Sequence, residues 1–512
     1  MRTYKLPPDH KSNSEAMKEQ SISGISNQFK TAALPIIILL PLILLLTGCD
    51  TGRTTVIRNI SVIDAADNLR PGMDVVIRGD TISAVAQAGE LEIPAGAEVI
   101  EGADQYLIPG LWDAHVHFSY NMDLSESMFP LFLANGITSL RDTGGHLHLV
   151  MPFKEQSVNN PETIPRLMIA GPLLDGVPRV YDGGPGRPNL AIGAATPREG
   201  TQIVDSLVHA GVDFIKSYEM LTPETFEAVI DRATMHRMKV TGHVPLSMDV
   251  VDASNQGLDS MEHLRNLEMA CSALWKSLLH ERRKLLDDGR SEMRGGQLRS
   301  IIHSAQRIRA IESQDAERCR EVMAVLAEND TWQIPTIALV ASGENRHYDR
   351  ESWRSHFRYL PESVRSDWEK EAAERSEQSS AESSLTFAEW AYGMIGKLNE
   401  AGVEIMAGTD TPIALLTPGY SLHEELKLLV KSGLTPLEAL EAATLRPAQY
   451  FGLEDELGRI ATGMKADLVL LDANPLEEIG NTGSIRAVVK NGRLHNRAAL
   501  DRLLERAGET EE

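Results

Sequence analysis

Apolar and polar positions follow two different rhythms along this chain. Between residues 54 and 107 the apolar runs are short and broken by turns: Thr55–Ile60, Met73–Arg78, a Gly79-Asp80 turn, then Thr81–Val85. Residues 457–495 repeat that rhythm. Asp467–Asp472 is one run, and Ala487–Lys490 and Arg493–His495 flank Asn491-Gly492, the strongest two-residue hairpin signal. Neither stretch has enough strands for a stable sheet alone. This predicts one small β-sandwich domain assembled from both ends, residues 54–107 plus 451–495.

The middle, residues 108–450, alternates strand-like with helix-like runs. The strand-like runs are Leu111–Phe118, Gly136–Asp142, Arg166–Ala170, Val212–Tyr218, Lys239–Val244, Leu258–His263, Trp332–Ile337 and Gly402–Asp410. Helices between them start on clear signals. Thr222-Pro223-Glu224 offers an N-cap, a first-turn proline and an acid at the positive end of the helix dipole, and Phe226, Val229, Ile230 and Ala233 keep helical spacing. Thr435-Pro436-Leu437-Glu438 repeats the start. Alternating units in this number predict an α/β fold, the (β/α)8 TIM barrel. Two stretches interrupt it, 265–330 and 343–390. Both follow strand-like runs and so predict helical insertions over the barrel mouth; the second also reads as surface decoration or partial disorder.

Composition changes the picture at the N-terminus. Residues 32–46 are an apolar run after Lys30, of the length of a signal-peptide core and short for a membrane span. The run ends in Leu46-Thr47-Gly48-Cys49, similar to a bacterial lipobox. Residues 1–48 are thus expected to be a lipoprotein signal peptide, with Cys49 the lipidated first residue of the mature chain. Met17-Lys18 would be a more ordinary start for such a signal. The implied location is the bacterial cell envelope, lipid-anchored on the periplasmic side of the inner or outer membrane. In that compartment Cys271 and Cys319 either pair as a disulfide or stay free; their spacing decides nothing. The net charge of −23 over 512 residues argues against a nucleic-acid partner.

Catalytic groups of such a barrel sit at the C-terminal ends of its strands. Those ends carry His115 and His117, Lys216, His243, His263 and Asp410. His115-Val116-His117 puts two imidazoles on one side of a strand, because side chains alternate faces. Nitrogen and oxygen donors of this kind suit zinc before other divalent ions. Tyr218, two residues past Lys216, shares its face and reads as either a hydrogen-bond donor to substrate or a pocket wall.

Pro-Gly-Leu-Trp-Asp-Ala-His-Val-His, Phe-Ile-Lys-Ser-Tyr, Gly-His-Val-Pro, Glu-His-Leu and Ala-Gly-Thr-Asp-Thr-Pro resemble the metal-site strands of the amidohydrolase superfamily. The nearest part is the branch of imidazolonepropionase-like proteins and metal-dependent dipeptidases or prolidases. The resemblance covers roughly residues 54–495. It implies two zinc ions per chain bridged by a carbamylated lysine (carboxylysine), carried onto Lys216. His115, His117 and Asp410 would hold one ion and His243 and His263 the other. It also implies a metal-activated hydroxide, with Asp410 shuttling a proton to the leaving amine. Read without the resemblance, Lys216 is a strand-end charge paired with Glu219 or Asp213. Where many dipeptidase relatives carry a longer polar segment, this chain has Val244-Pro245-Leu246-Ser247. Amide-type hydrolysis is therefore better supported than peptide hydrolysis.

The expected activity is hydrolysis of C–N bonds in a small molecule, a dipeptide or cyclic amide. Rival readings are a lactonase or phosphotriesterase, a one-metal deaminase, and a surface binding protein without turnover. Self-assembly is left open. Other polar groups are assigned no ligand role. Gly145-His146-Leu147-His148 reads as loop, His209 and His236 as helix surface, and His303 as part of the charged insertion. His423 and Arg141-Asp142 are read at most as supports near the mouth.

Overall fold

The computed structural model describes residues 53–64 and 68–509; the expected signal peptide and Cys49 lie outside them. Both ends of the described chain enter one mixed sheet. Its hydrogen-bonded order is Arg493–Asn496, Ile485–Lys490, Leu468–Leu471, Tyr106–Pro109, Thr54–Asp64, Asn68–Arg78 and Thr81–Gln87, with Glu98–Glu101 pairing parallel to Thr54–Asp64. The ends meet where Leu468 pairs with Pro109 and Leu471 with Tyr106, antiparallel. Alternate residues Ile60, Val62, Val75, Ile77, Leu468 and Leu470 pack into one apolar cluster under this sheet. The hydrogen bonds join all these strands into a single sheet, where the sequence predicts a two-layered sandwich.

The rest is α/β with parallel strands. Leu111–Val116, Ile137–Asp142 and Arg166–Ile169 form a three-stranded sheet. Ala191–Gly193, Leu173–Asp175, Ile215–Ser217, Val240–Gly242, Ser260–Glu262 and Trp332–Ile334 form a six-stranded one in that order. The pair at Leu173–Asp175 and Ala191–Gly193 is an addition that the alternation of runs does not predict. The Asp213 N–H donates to Ile169 O (2.9 Å) between the two sheets.

The expected strand at 402–410 is not continuous. It makes one parallel bridge to Gln333 through Ile405 and one to Val116 through Thr411. Two causes are visible. The Thr409 N–H turns to the Asp113 carboxylate (3.0 Å), and Asp410 adopts a left-handed φ of 63°. Donors to Ala407 O from Ala114 N (2.9 Å) and to His115 O from Asp410 N (2.8 Å) nevertheless hold the segment against the first parallel strand. Gly408 is required there, since a Cβ would lie 2.8 Å from the His115 Cβ.

The helix starts follow their signals. Pro223–Met235 begins on Thr222, whose side chain accepts from Thr225 N, and Thr435 with Glu438 forms a capping box for Pro436–Ala442. Both insertions are helical. Trp275–Gly289, Gly295–Glu312 and Ala316–Glu328 fill the first, and Glu362–Ser376 with the start of Glu382–Glu400 the second. A Cys271–Cys319 disulfide, 48 residues apart in sequence, ties the ends of the first insertion together. No helix among the described residues is long and apolar enough to cross a membrane.

Candidate metal centre

His115, His117, Lys216, Tyr218, His243, His263 and Asp410 all line one cavity of about 460 Å³. All seven are buried. His115 and His117 reach Asp410 through Nε2: His115 to Oδ1 at 3.2 Å and His117 to Oδ1 at 3.0 Å. His263 Nε2 lies 3.7 Å from Asp410 Oδ2. The His243 ring centre is 5.0 Å from that of His263. His115, His263 and Asp410 offer ligand atoms that lie within 4.8 Å of one another.

The outer nitrogens explain the inner ones. His115 Nδ1 meets Glu262 Oε2 at 2.5 Å, and His243 Nδ1 meets Glu219 Oε1 at 2.5 Å. His263 Nδ1 meets Thr336 Oγ1 at 2.6 Å, and His117 Nδ1 meets Gly144 O at 3.3 Å. Carboxylates and a carbonyl can only accept, so Nδ1 of His115, His117 and His243 carries the proton and Nε2 presents its lone pair inward. The Nε2 lone pairs of His115 and His117 then face a carboxylate oxygen of Asp410 that accepts no hydrogen bond. Lone pairs set against an anion need a cation between them. Oxygen partners on the far ring nitrogen are the usual support of metal-bound histidine. The donor set therefore fits a divalent metal ion.

Burial drives His243 down to about 3, against the opposing pull of Glu219, and holds His263 well below the usual imidazole range. Both are neutral at physiological pH, as ligation demands. Burial lifts the Tyr218 phenol well above its usual pKa, so it stays an O–H donor. Its ring stacks on His243 with centres 4.3 Å apart.

Lys216 makes neither of the pairs read for it from sequence. Asp213 is taken by Lys154 (2.8 Å) and Glu219 by His243, while Lys216 Nζ lies 3.3 Å from Glu262 Oε1. Burial pulls the Lys216 amine down to about 8, with Glu262 opposing. Glu262 is the hub of the site. It also receives Arg141 Nη2 at 2.6 Å, so Arg141 steadies the carboxylate that anchors His115. Gly242, which precedes His243 and pairs with Ser217 across the sheet, cannot be replaced simply: a Cβ would sit 2.1 Å from Ser217 O, at φ 146°. His263 (φ 59°) and Asp410 (φ 63°) both hold left-handed backbones, a cost of about 1–3 kcal/mol each that the surrounding packing sustains.

Several residues of the site escape the sequence reading. Glu262 enters it only within the Glu-His-Leu motif and Glu219 only as a partner for Lys216, and neither is assigned the support of a histidine ring. His303, set aside with the charged insertion, lines the cavity together with Arg265, Arg299 and Arg307. His423 does not line it, and bonds to Thr482 and Asn135. His146 and His148 stay outside, and His236 pairs with Asp205.

Residues 385–495, which include Asp410 and the C-terminal hairpin, match the model of the amidohydrolase family. Ochratoxinase of Aspergillus niger is 24% identical over 423 residues, 73% of this chain and 71% of that protein. The structure of bottromycin amidohydrolase is similar with a TM-score of 0.66 at 24% identity, over 90% of this chain and 92% of that one. A Xaa-Pro dipeptidase with methionine bound in its active site is similar at 0.62 and 21% identity, over 86% of this chain and 100% of that one. The chain shares their α/β fold.

Proposed function

We propose that this protein is a metal-dependent hydrolase of C–N bonds, acting on an amide, a peptide or a cyclic amide. One observation carries the reading. Three buried imidazoles, each tied to an oxygen through Nδ1, turn Nε2 toward the same buried carboxylate, and a fourth stands beside them. The match to the amidohydrolase family and the likeness to ochratoxinase, bottromycin amidohydrolase and a Xaa-Pro dipeptidase support the bond type. On this reading the parallel strands close as the (β/α)8 barrel and the mixed sheet belongs to a composite β-domain.

His115, His117 and Asp410 would hold one ion, and His243 and His263 a second, with zinc the preferred ion. Lys216 would bridge them as a carbamate: its neutral amine adds to carbon dioxide, a C–N bond forms, one proton leaves, and one negative charge shared by two oxygens results. Divalent ions held there supply Lewis acidity to a carbonyl and bring a water's pKa toward neutrality. Asp410 takes up the proton of the attacking water and delivers it to the leaving amine. Tyr218 donates its O–H to the oxygen on which charge develops. Glu262 and Glu219 keep the histidine rings in the right tautomer. Cys49 would carry a lipid and hold the protein on the periplasmic side of the envelope.

The test is metal analysis and intact mass of purified protein, with a panel of dipeptides, cyclic amides, lactones and phosphotriesters. Two metals per chain, a mass gain of one carbon dioxide on Lys216 and cleavage of amides alone are expected. Turnover of lactones or phosphotriesters but not amides would overturn the bond assignment.

A further inference from the structure

The cavity has a second half whose charge does not balance. Arg299, His303 and Arg307 stand four residues apart on the helix Gly295–Glu312, and all three line the cavity. Residues at that spacing share one helix face. Arg265, two residues past His263, joins them. Glu219 lies 3.0 Å from Arg299 Nε, 3.6 Å from His303 Nε2 and 4.0 Å from Arg265 Nε. Glu268 lies 3.7 Å from Arg307 Nε. Three guanidinium groups therefore share two carboxylates, and Glu219 is also engaged by His243. The Arg265 and Arg307 contacts are too long for hydrogen bonds, and Nε of both arginines and Nδ1 of His303 make none.

Such an arrangement is expensive by itself. These side chains are only 9–23% exposed, and like charges held together away from water repel. The surplus sits inside a chain of net charge −23, so it is a local feature against an opposing overall field. Phe387 from the second insertion stacks over Arg307, with the guanidinium carbon 4.2 Å from the ring centre, and so fixes it. At about 1.5 Å per residue, Arg299 to Arg307 spans about 12 Å of helix. A spread of that length fits two separated carboxylates better than one compact phosphate.

We propose that this basic face receives a substrate end bearing two carboxylates, as in an amide whose amine part is an acidic amino acid. The hydrolase reading enters only in saying which bond is cut; recognition stands on the arginines. The experiment compares N-acetyl-glutamate with its isostere N-acetyl-glutamine as substrates of the holoenzyme, and glutarate with butyrate as ligands by calorimetry. Preference for the acidic substrate by about 100-fold in kcat/KM and tighter binding of glutarate are expected. Arg307→Leu should shrink both ratios by about 10-fold or more, and Arg307→Lys should restore part of the loss. Ratios near one in the wild type, or unchanged in a folded Arg307→Leu protein, overturn the proposal. Glutarate binding without any amide cleavage keeps the basic subsite and removes the hydrolase reading. Amide cleavage without acidic preference does the reverse.

Discussion

Two His-x-His pairs occur within forty residues of each other, and only one is built into a site. His115 and His117 stand at a buried strand end, each ring fixed by an oxygen on Nδ1 and facing Asp410. His146 and His148 sit at the start of the helix Leu147–Asn159, with His148 exposed, and their rings stack 5.9 Å apart. The spacing is the same. What differs is the support behind the rings, and support is what converts a pair of imidazoles into ligands.

That contrast can be broken first at its centre. Asp410→Asn removes the inward carboxylate, and kcat should fall by about 1,000-fold or more while the thermal transition changes little, as checked by steady-state kinetics and calorimetry. Glu262→Gln leaves every ligand in place but weakens the anchor behind His115. Metal affinity should drop by about 10- to 100-fold in a competition titration with a chelator. Removing the Cys271–Cys319 bond by Cys271→Ser with Cys319→Ser acts on the cover. Stability to denaturant should fall by about 2–4 kcal/mol while metal content holds. The control is His148→Ala, expected to alter stability by less than about 0.5 kcal/mol and metal content not at all. A loss of metal with His148→Ala equal to that with Glu262→Gln would sink the comparison.

His115, His117, Lys216, His243, His263 and Asp410 could be grouped from sequence because each ends a short apolar run, and the order of runs says which ends share a mouth. Tyr218 was legible for the same reason, by period two from Lys216. Glu262 and Glu219 were not, since a carboxylate beside a ligand shows its task only when the strand across the sheet is known. Arg299, His303 and Arg307 carried a helical period of four in sequence, yet a charged helix usually turns such a face to water. Only the packing of the insertion over the strand ends turns it inward. The interrupted segment at 402–410 was hidden for another reason: its ladder is lost to the Asp113 side chain, a contact almost three hundred residues away in sequence.

The disulfide that ties the first insertion also changes what a protease could do to it. Ser291–Arg294, between two of its helices, is exposed. A single cut there leaves both fragments covalently joined through Cys271 and Cys319. The nicked protein should migrate as one band without reductant and as two with it, keeping Arg299 and Arg307 tethered to the body after the backbone is severed.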